Sequence, residues 1–167
     1  MHLLCLGIMK KLLLLWIKNR SLKTKLSAKN IEKISDLLVL IRTFTPVEFN
    51  RTALRLDVIS FYKATEFRTF LLYLGPVLLK NETQEEVYEN FMQLHCAVSI
   101  CMSEKSYTFI DIAQTMFKSF IHGFAKLYGR ENISYNVHNL YHIADDVKLH
   151  GPLDNMSAFK YENCCNI

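Results

Sequence analysis

The sequence predicts an all-α fold, a bundle of about six helices. Three observations carry this. Apolar residues recur at helical spacing along nearly the whole chain, and no sustained two-residue alternation marks a strand. Chain breakers are scarce, with 5 Gly and 3 Pro in 167 residues. Half the residues are hydrophobic (50%) and 22% are charged. That is enough apolar surface for a packed core, and too much for a disordered chain. One helical domain spanning residues 1–167 is expected.

The elements follow in order. Leu3 to Ile17 reads as a first helix, apolar around much of its circumference. Lys10 and Lys11 interrupt its apolar runs, which fall short of the ~20 residues a membrane span needs. A secretory signal carries its charge before the apolar stretch rather than inside it. A core helix is therefore expected, with no membrane partner, and the lysine stems should lie along the core edge. Ser21 to Ser27 is a basic connection. Ser27 can cap a second helix carrying Ile31, Ile34, Leu37, Leu38 and Ile41 at helical spacing. Thr45-Pro46 ends it, and Pro46 to Asp57 reads as a loop. A third helix over about Val58 to Leu74 carries the aromatic ladder Phe61, Tyr62, Phe67, Phe70 and Tyr73, expected to face the core. Gly75-Pro76 should interrupt it, leaving Val77 to Leu79 as a short extended piece. Thr83-Gln-Glu-Glu86 matches a capping box and opens a fourth helix running to about Met102. A fifth follows Ser106 and runs to about Tyr128, where Gly129 stops it. A sixth spans about Val137 to His150 before Gly151-Pro152.

The net charge is +4, but it is unevenly spread. Lys10, Lys11, Lys18, Arg20, Lys23, Lys25, Lys29 and Lys33 crowd the first third, with Glu32 as the acid among them. A solvated helix face explains such a run, and so does a surface for phosphate backbones. The 5 cysteines are odd in number and form no C-x-x-C. Cys5, Cys96 and Cys101 sit in apolar contexts, Cys164 and Cys165 are adjacent, and a reducing compartment, nuclear or cytoplasmic, fits. Sequons begin at Asn50, Asn81, Asn132 and Asn155 and are inert without export.

Chemistry-bearing residues gather near the end of the chain. His138 and His142 stand at i and i+4, so on a helix they share a face and can reach one metal ion. The expectation is that this face points into the protein. Two ordinary histidines are the plainer reading. Asn139 occupies the place where zinc proteases of H-E-x-x-H type carry glutamate, so protease chemistry lacks its base. A closed zinc site needs two further ligands, and His95 and Cys96 are the candidates. Glu162 is a candidate metal-binding carboxylate, or a surface acid. Asp145 and Asp146 are adjacent and face different ways, and Asp111 has no obvious partner. No P-loop, nucleotide-binding glycine turn or serine elbow is present.

Four segments carry a resemblance. They are Met1-His-Leu-Leu-Cys-Leu-Gly-Ile-Met-Lys-Lys-Leu-Leu, Lys63-Ala-Thr-Glu-Phe-Arg-Thr-Phe-Leu-Leu-Tyr-Leu-Gly-Pro-Val, Leu127-Tyr-Gly through Ser134-Tyr-Asn-Val-His-Asn-Leu-Tyr-His, and Gly151-Pro-Leu-Asp through Phe159-Lys-Tyr-Glu-Asn. In this order and across almost the whole chain, they resemble the C-terminal part of transposases of the CACTA (En/Spm-like) superfamily, in the animal transposase domain-containing form. The resemblance implies an RNase H-like nuclease with a helical insertion, in which three acids hold two Mg²⁺ ions. It implies Glu162 as the third acid and His138 and His142 as zinc-site histidines, although Lys160-Tyr161-Glu162 replaces the family's Pro-Phe-Glu. It places the first two acids upstream of Met1. The expectation is a fragment of a DDE-type DNA transposase, truncated at both ends and inactive alone. This helical insertion would bind DNA through Lys10, Lys11, Lys18, Arg20, Lys23 and Lys25. It would hold a structural Zn²⁺ and partner a second copy or an intact transposase. A retained DNA-binding or protein-interaction module, and a relic of a transposable element without selected activity, are the alternatives.

Overall fold

Helices account for all the regular structure in the described residues, which are 1–18, 23–44 and 54–155 of the computed structural model. The α segments are α1 (Lys10–Lys18), α2 (Ala28–Arg42), α3 (Ala64–Thr69), α4 (Gly75–Leu78), α5 (Glu85–Met102), α6 (Ile110–Tyr128), α7 (Tyr135–His138) and α8 (Leu140–His150). No strand occurs among the described residues. The fold is an all-α bundle, as expected.

The first helix is its centre. A wide π-helical stretch, Leu3–Met9, runs directly into α1. Leu4, Cys5, Ile8, Met9, Leu12, Leu13 and Trp16 are all buried, the paired spacing that one helix face requires. The apolar opening is therefore core, with Lys10 and Lys11 half-buried at its edge. Trp16 meets Phe91 of α5 edge-on, 5.9 Å between ring centres. Its indole N–H donates to the Tyr128 hydroxyl at the end of α6, 2.7 Å away. Burial holds that phenol well above its ordinary pKa, so it stays protonated and donor-competent. α5 and α6 form the main antiparallel pair, joined by the 3₁₀ turn Glu104–Phe109, and α8 packs on α6.

Several expectations are corrected by local hydrogen bonding. Ser27 does cap α2, its hydroxyl accepting the Asn30 N–H at 3.1 Å. Thr83 does not cap the fourth helix. Its N–H and hydroxyl both return to the Leu79 carbonyl, and Gln84 precedes α5 instead. The glutamate half of a capping box occurs at α3, where Glu66 accepts the Lys63 N–H at 2.7 Å. A lysine has no acceptor to complete the other half.

The expected third helix divides. Leu56–Phe61 is a 3₁₀ segment, followed by extended backbone at Tyr62 and Lys63. That break puts the aromatic ladder out of register. Tyr62, Phe67 and Phe70 are buried, whereas Phe61 and Tyr73 are exposed.

Gly75-Pro76 does not stop the helix, and Val77 lies inside α4 rather than in an extended piece. The π-turn Phe70–Leu74 explains this. It sends the Gly75 N–H back five residues to the Phe70 carbonyl. In that register the Leu71 carbonyl faces a proline with no N–H to give. The ring Nδ1 of His95 lies 2.9 Å from that carbonyl, and the Tyr88 hydroxyl donates to the Pro76 carbonyl at 2.8 Å. A Cβ on Gly75 would come within 2.5 Å of the Phe91 ring. Gly129 ends α6 as expected, with φ at +89°. The expected sixth helix is interrupted at Asn139, which separates α7 from α8.

Cys5 and Cys101 are buried free thiols, as expected, and Cys96 is half-buried. Burial pushes the first two up to about 12 from an ordinary 9.0. Across that window the folded chain holds protons that the unfolded chain has lost, so each thiol lowers stability as pH rises above 9. At pH 8 both should resist iodoacetamide in the native protein and react only in urea, as peptide mass mapping would read out. Native-state labelling of either at the rate of a free thiol would contradict this packing.

Candidate nucleic-acid interface

The outward side of the first helix is built by the same periodicity as its buried side. Between the buried pairs stand Leu6, Gly7, Lys10, Lys11, Leu14, Leu15 and Lys18, lining an open groove of about 440 Å³. Three ammonium groups thus share one stripe with leucine between them. Lys10 to Lys18 covers about 12 Å at ~1.5 Å per residue, comparable to three or four phosphate steps along one strand. Partial burial lowers the Lys11 pKa from its ordinary 10.5.

The connection after α1 carries two further exposed lysines. Thr24 and Leu26 are buried while Lys23 and Lys25 are exposed. The Leu26 N–H donates to the Trp16 carbonyl at 2.8 Å, which holds this segment against the core and turns its lysines outward. Arg20 lies outside the described residues. Lys33 is otherwise engaged, in an ion pair with Glu82 that ties α2 to the turn before α5.

His138 and His142 share a face, as expected, with ring centres 6.3 Å apart at 76°. The face is the outer one, and both are exposed. Val137, Leu140, Ile143, Ala144 and Val147 take the buried stripe, which leaves the histidines, Asp145 and Asp146 toward solvent. Tyr141 packs edge-on against His138 at 5.5 Å.

His95 lies elsewhere, stacked on Phe91 with its Nδ1 at the Leu71 carbonyl. Among the described residues, no three His, Cys, Asp or Glu side chains come together as a metal site requires. His95 and Cys96 are therefore not joined to the His138–His142 pair. The His95 ring is placed by its stack on Phe91 and by the Leu71 carbonyl, and Cys96 is half-buried. Glu162, the candidate catalytic acid, lies outside the described residues. Asp111 does have a partner, Lys148 of α8, 2.6 Å away.

One polar feature escaped the sequence reading. Glu86, Glu89, Asn90 and Gln93 of α5 face Ser119, Gly123, Lys126 and Leu127 of α6 across a cleft of about 270 Å³. The signal was a polar stripe at i, i+3, i+4 and i+7 on a helix otherwise packed as core. Its weight depends on Gly123 lying opposite, and spacing alone does not reveal that.

No helix among the described residues is long and apolar enough to cross a membrane. Comparisons with protein-family models, curated proteins and solved structures find no match for this chain.

Proposed function

We propose that this chain is a transposase-derived helical module that holds DNA by its phosphate backbone and does not cleave it unaided. The observation that carries the reading is the basic stripe. Lys10, Lys11 and Lys18 share the outer face of the first helix, and Lys23 and Lys25 stand exposed on the connection that follows. The resemblance to CACTA-type transposases supplies the polymer, DNA, and a nuclear or cytoplasmic setting. It also supplies Glu162 as a candidate for a family catalytic acid. One carboxylate does not hold the two Mg²⁺ ions that such strand transfer uses. Zinc in this reading is structural, with His138 and His142 as two of its ligands. A second copy or an intact transposase is the proposed protein partner.

Fluorescence anisotropy with a labelled duplex tests the binding. Changing Lys10, Lys11, Lys18, Lys23 and Lys25 to Gln should weaken it by about 100-fold or more at low salt, with little dependence on sequence. Equal affinity would make the lysines a solvated face and favour an interaction module or a relic. The same preparations, incubated with Mg²⁺ or Mn²⁺, should leave DNA intact. Cleavage that disappears in Glu162→Gln would overturn the non-catalytic half of the reading.

A further inference from the structure

The cleft between α5 and α6 carries an unmet demand for hydrogen-bond donors. Asn90 is 4% exposed. Its amide nitrogen donates to the Phe120 carbonyl at 3.0 Å. That bond fixes the orientation of the amide, since reversal would set two oxygens against each other. Asn90 Oδ1 is consequently left without a partner among the described residues, and so is Gln93 Oε1, both withdrawn from the solvent-accessible surface. Such buried acceptors are uncommon in native proteins and call for an explanation. Gly123 makes the arrangement fit, because a Cβ there would lie 2.4 Å from the Asn90 amide nitrogen.

The rest of the lining defines the ligand chemistry. Glu86 and Glu89 add two carboxylates, Ser119 a hydroxyl, and Lys126 a single opposing cation. Acceptors outnumber donors, and the local charge is negative. A divalent metal ion wants about six to eight oxygens with several carboxylates, and no three such ligands converge among the described residues. Guanidinium and alkylammonium groups, which carry several N–H donors and no acceptor, match the lining better. The exposed side chains of Glu86, Glu89 and Lys126 form the rim, and exposed side chains of this kind exchange rotamers within picoseconds to nanoseconds.

We propose that this cleft binds the head of an organic cation, a guanidinium or primary ammonium group. Asn90 Oδ1 and Gln93 Oε1 accept its N–H bonds, and Glu86 and Glu89 balance its charge. The head belongs either to a small free amine or to an arginine or lysine side chain of a peptide.

The test uses the full, isotopically labelled chain and follows the Asn90 and Gln93 side-chain amide resonances at constant ionic strength. Agmatine should give a saturable shift. Tetramethylammonium, with the same kind of charge and no N–H, should not. Gln93→Leu and Glu89→Gln should each weaken agmatine binding about 5-fold or more with the circular dichroism spectrum unchanged, and Lys126→Met should strengthen it. A blocked arginine peptide that saturates at lower concentration than agmatine assigns the head to a peptide, and the reverse order assigns it to a free amine. Equal shifts with tetramethylammonium, agmatine binding indifferent to all three variants, or an ordered water retained in the cleft under excess agmatine would overturn the proposal.

Discussion

Replacing Trp16 with alanine is expected to cost about 3–5 kcal/mol, the range for removing a large aromatic side chain from a packed core. Trp16 is completely buried, meets the edge of Phe91 and donates to the Tyr128 hydroxyl. The cost therefore combines lost apolar burial with a phenol left short of a partner. Tyr128→Phe separates the second part and should cost about 1–3 kcal/mol, because it strands a buried indole N–H. The chain has 1 tryptophan, so the variant loses the natural fluorophore. Urea unfolding must be followed by circular dichroism. A domain of ordinary stability has only about 5–15 kcal/mol in hand, so Trp16→Ala should be partly unfolded in mild denaturant. A loss below about 1 kcal/mol would mean that the first helix is not the centre of the core.

DNA affinity is expected to fall steeply with salt. In the proposed reading five lysines, Lys10, Lys11, Lys18, Lys23 and Lys25, contact phosphates, and each contact contributes about −0.9 to the slope of log affinity against log salt. The full set gives a slope near −4.5, roughly a 500-fold loss between 50 and 200 mM salt. Lys18→Gln alone should flatten the slope by about 0.9 and weaken binding alike on unrelated sequences. Lys33→Gln should leave the slope unchanged, since its ammonium already pairs with Glu82. A slope near zero for the unaltered chain would exclude the basic stripe as the binding surface.

Helix existence was legible in the sequence because periodicity reports the buried stripe directly. The first helix, the Ser27 cap and the Gly129 stop all follow from single-helix rules. What was not legible depends on partners distant in sequence. Gly75-Pro76 reads as a breaker unless the π-turn before it and the His95 ring near the Leu71 carbonyl are known. Thr83 reads as a cap until its hydrogen bonds to Leu79 are seen. The histidine pair shows the limit most clearly. The i, i+4 spacing established that His138 and His142 share a face. The direction of that face was decided by Val137, Leu140, Ala144 and Val147, a stronger apolar stripe on the same segment. The Asn90 cleft was invisible for a related reason, since it exists only where Gly123 lets α6 approach α5.

The hydrogen bond from Trp16 to Tyr128 joins residues 112 positions apart, and this sets a timetable for synthesis. A ribosome adding about 5–20 residues per second needs roughly 6–22 seconds to reach Tyr128 after making Trp16. For most of that interval α5 is incomplete, and α6 is complete only when Tyr128 has been added. In those seconds only the earlier segments, α3 among them, are there to pack against the first helix. The helix that ends at the centre of the core is thus among the last to receive its full set of partners while the protein is being made.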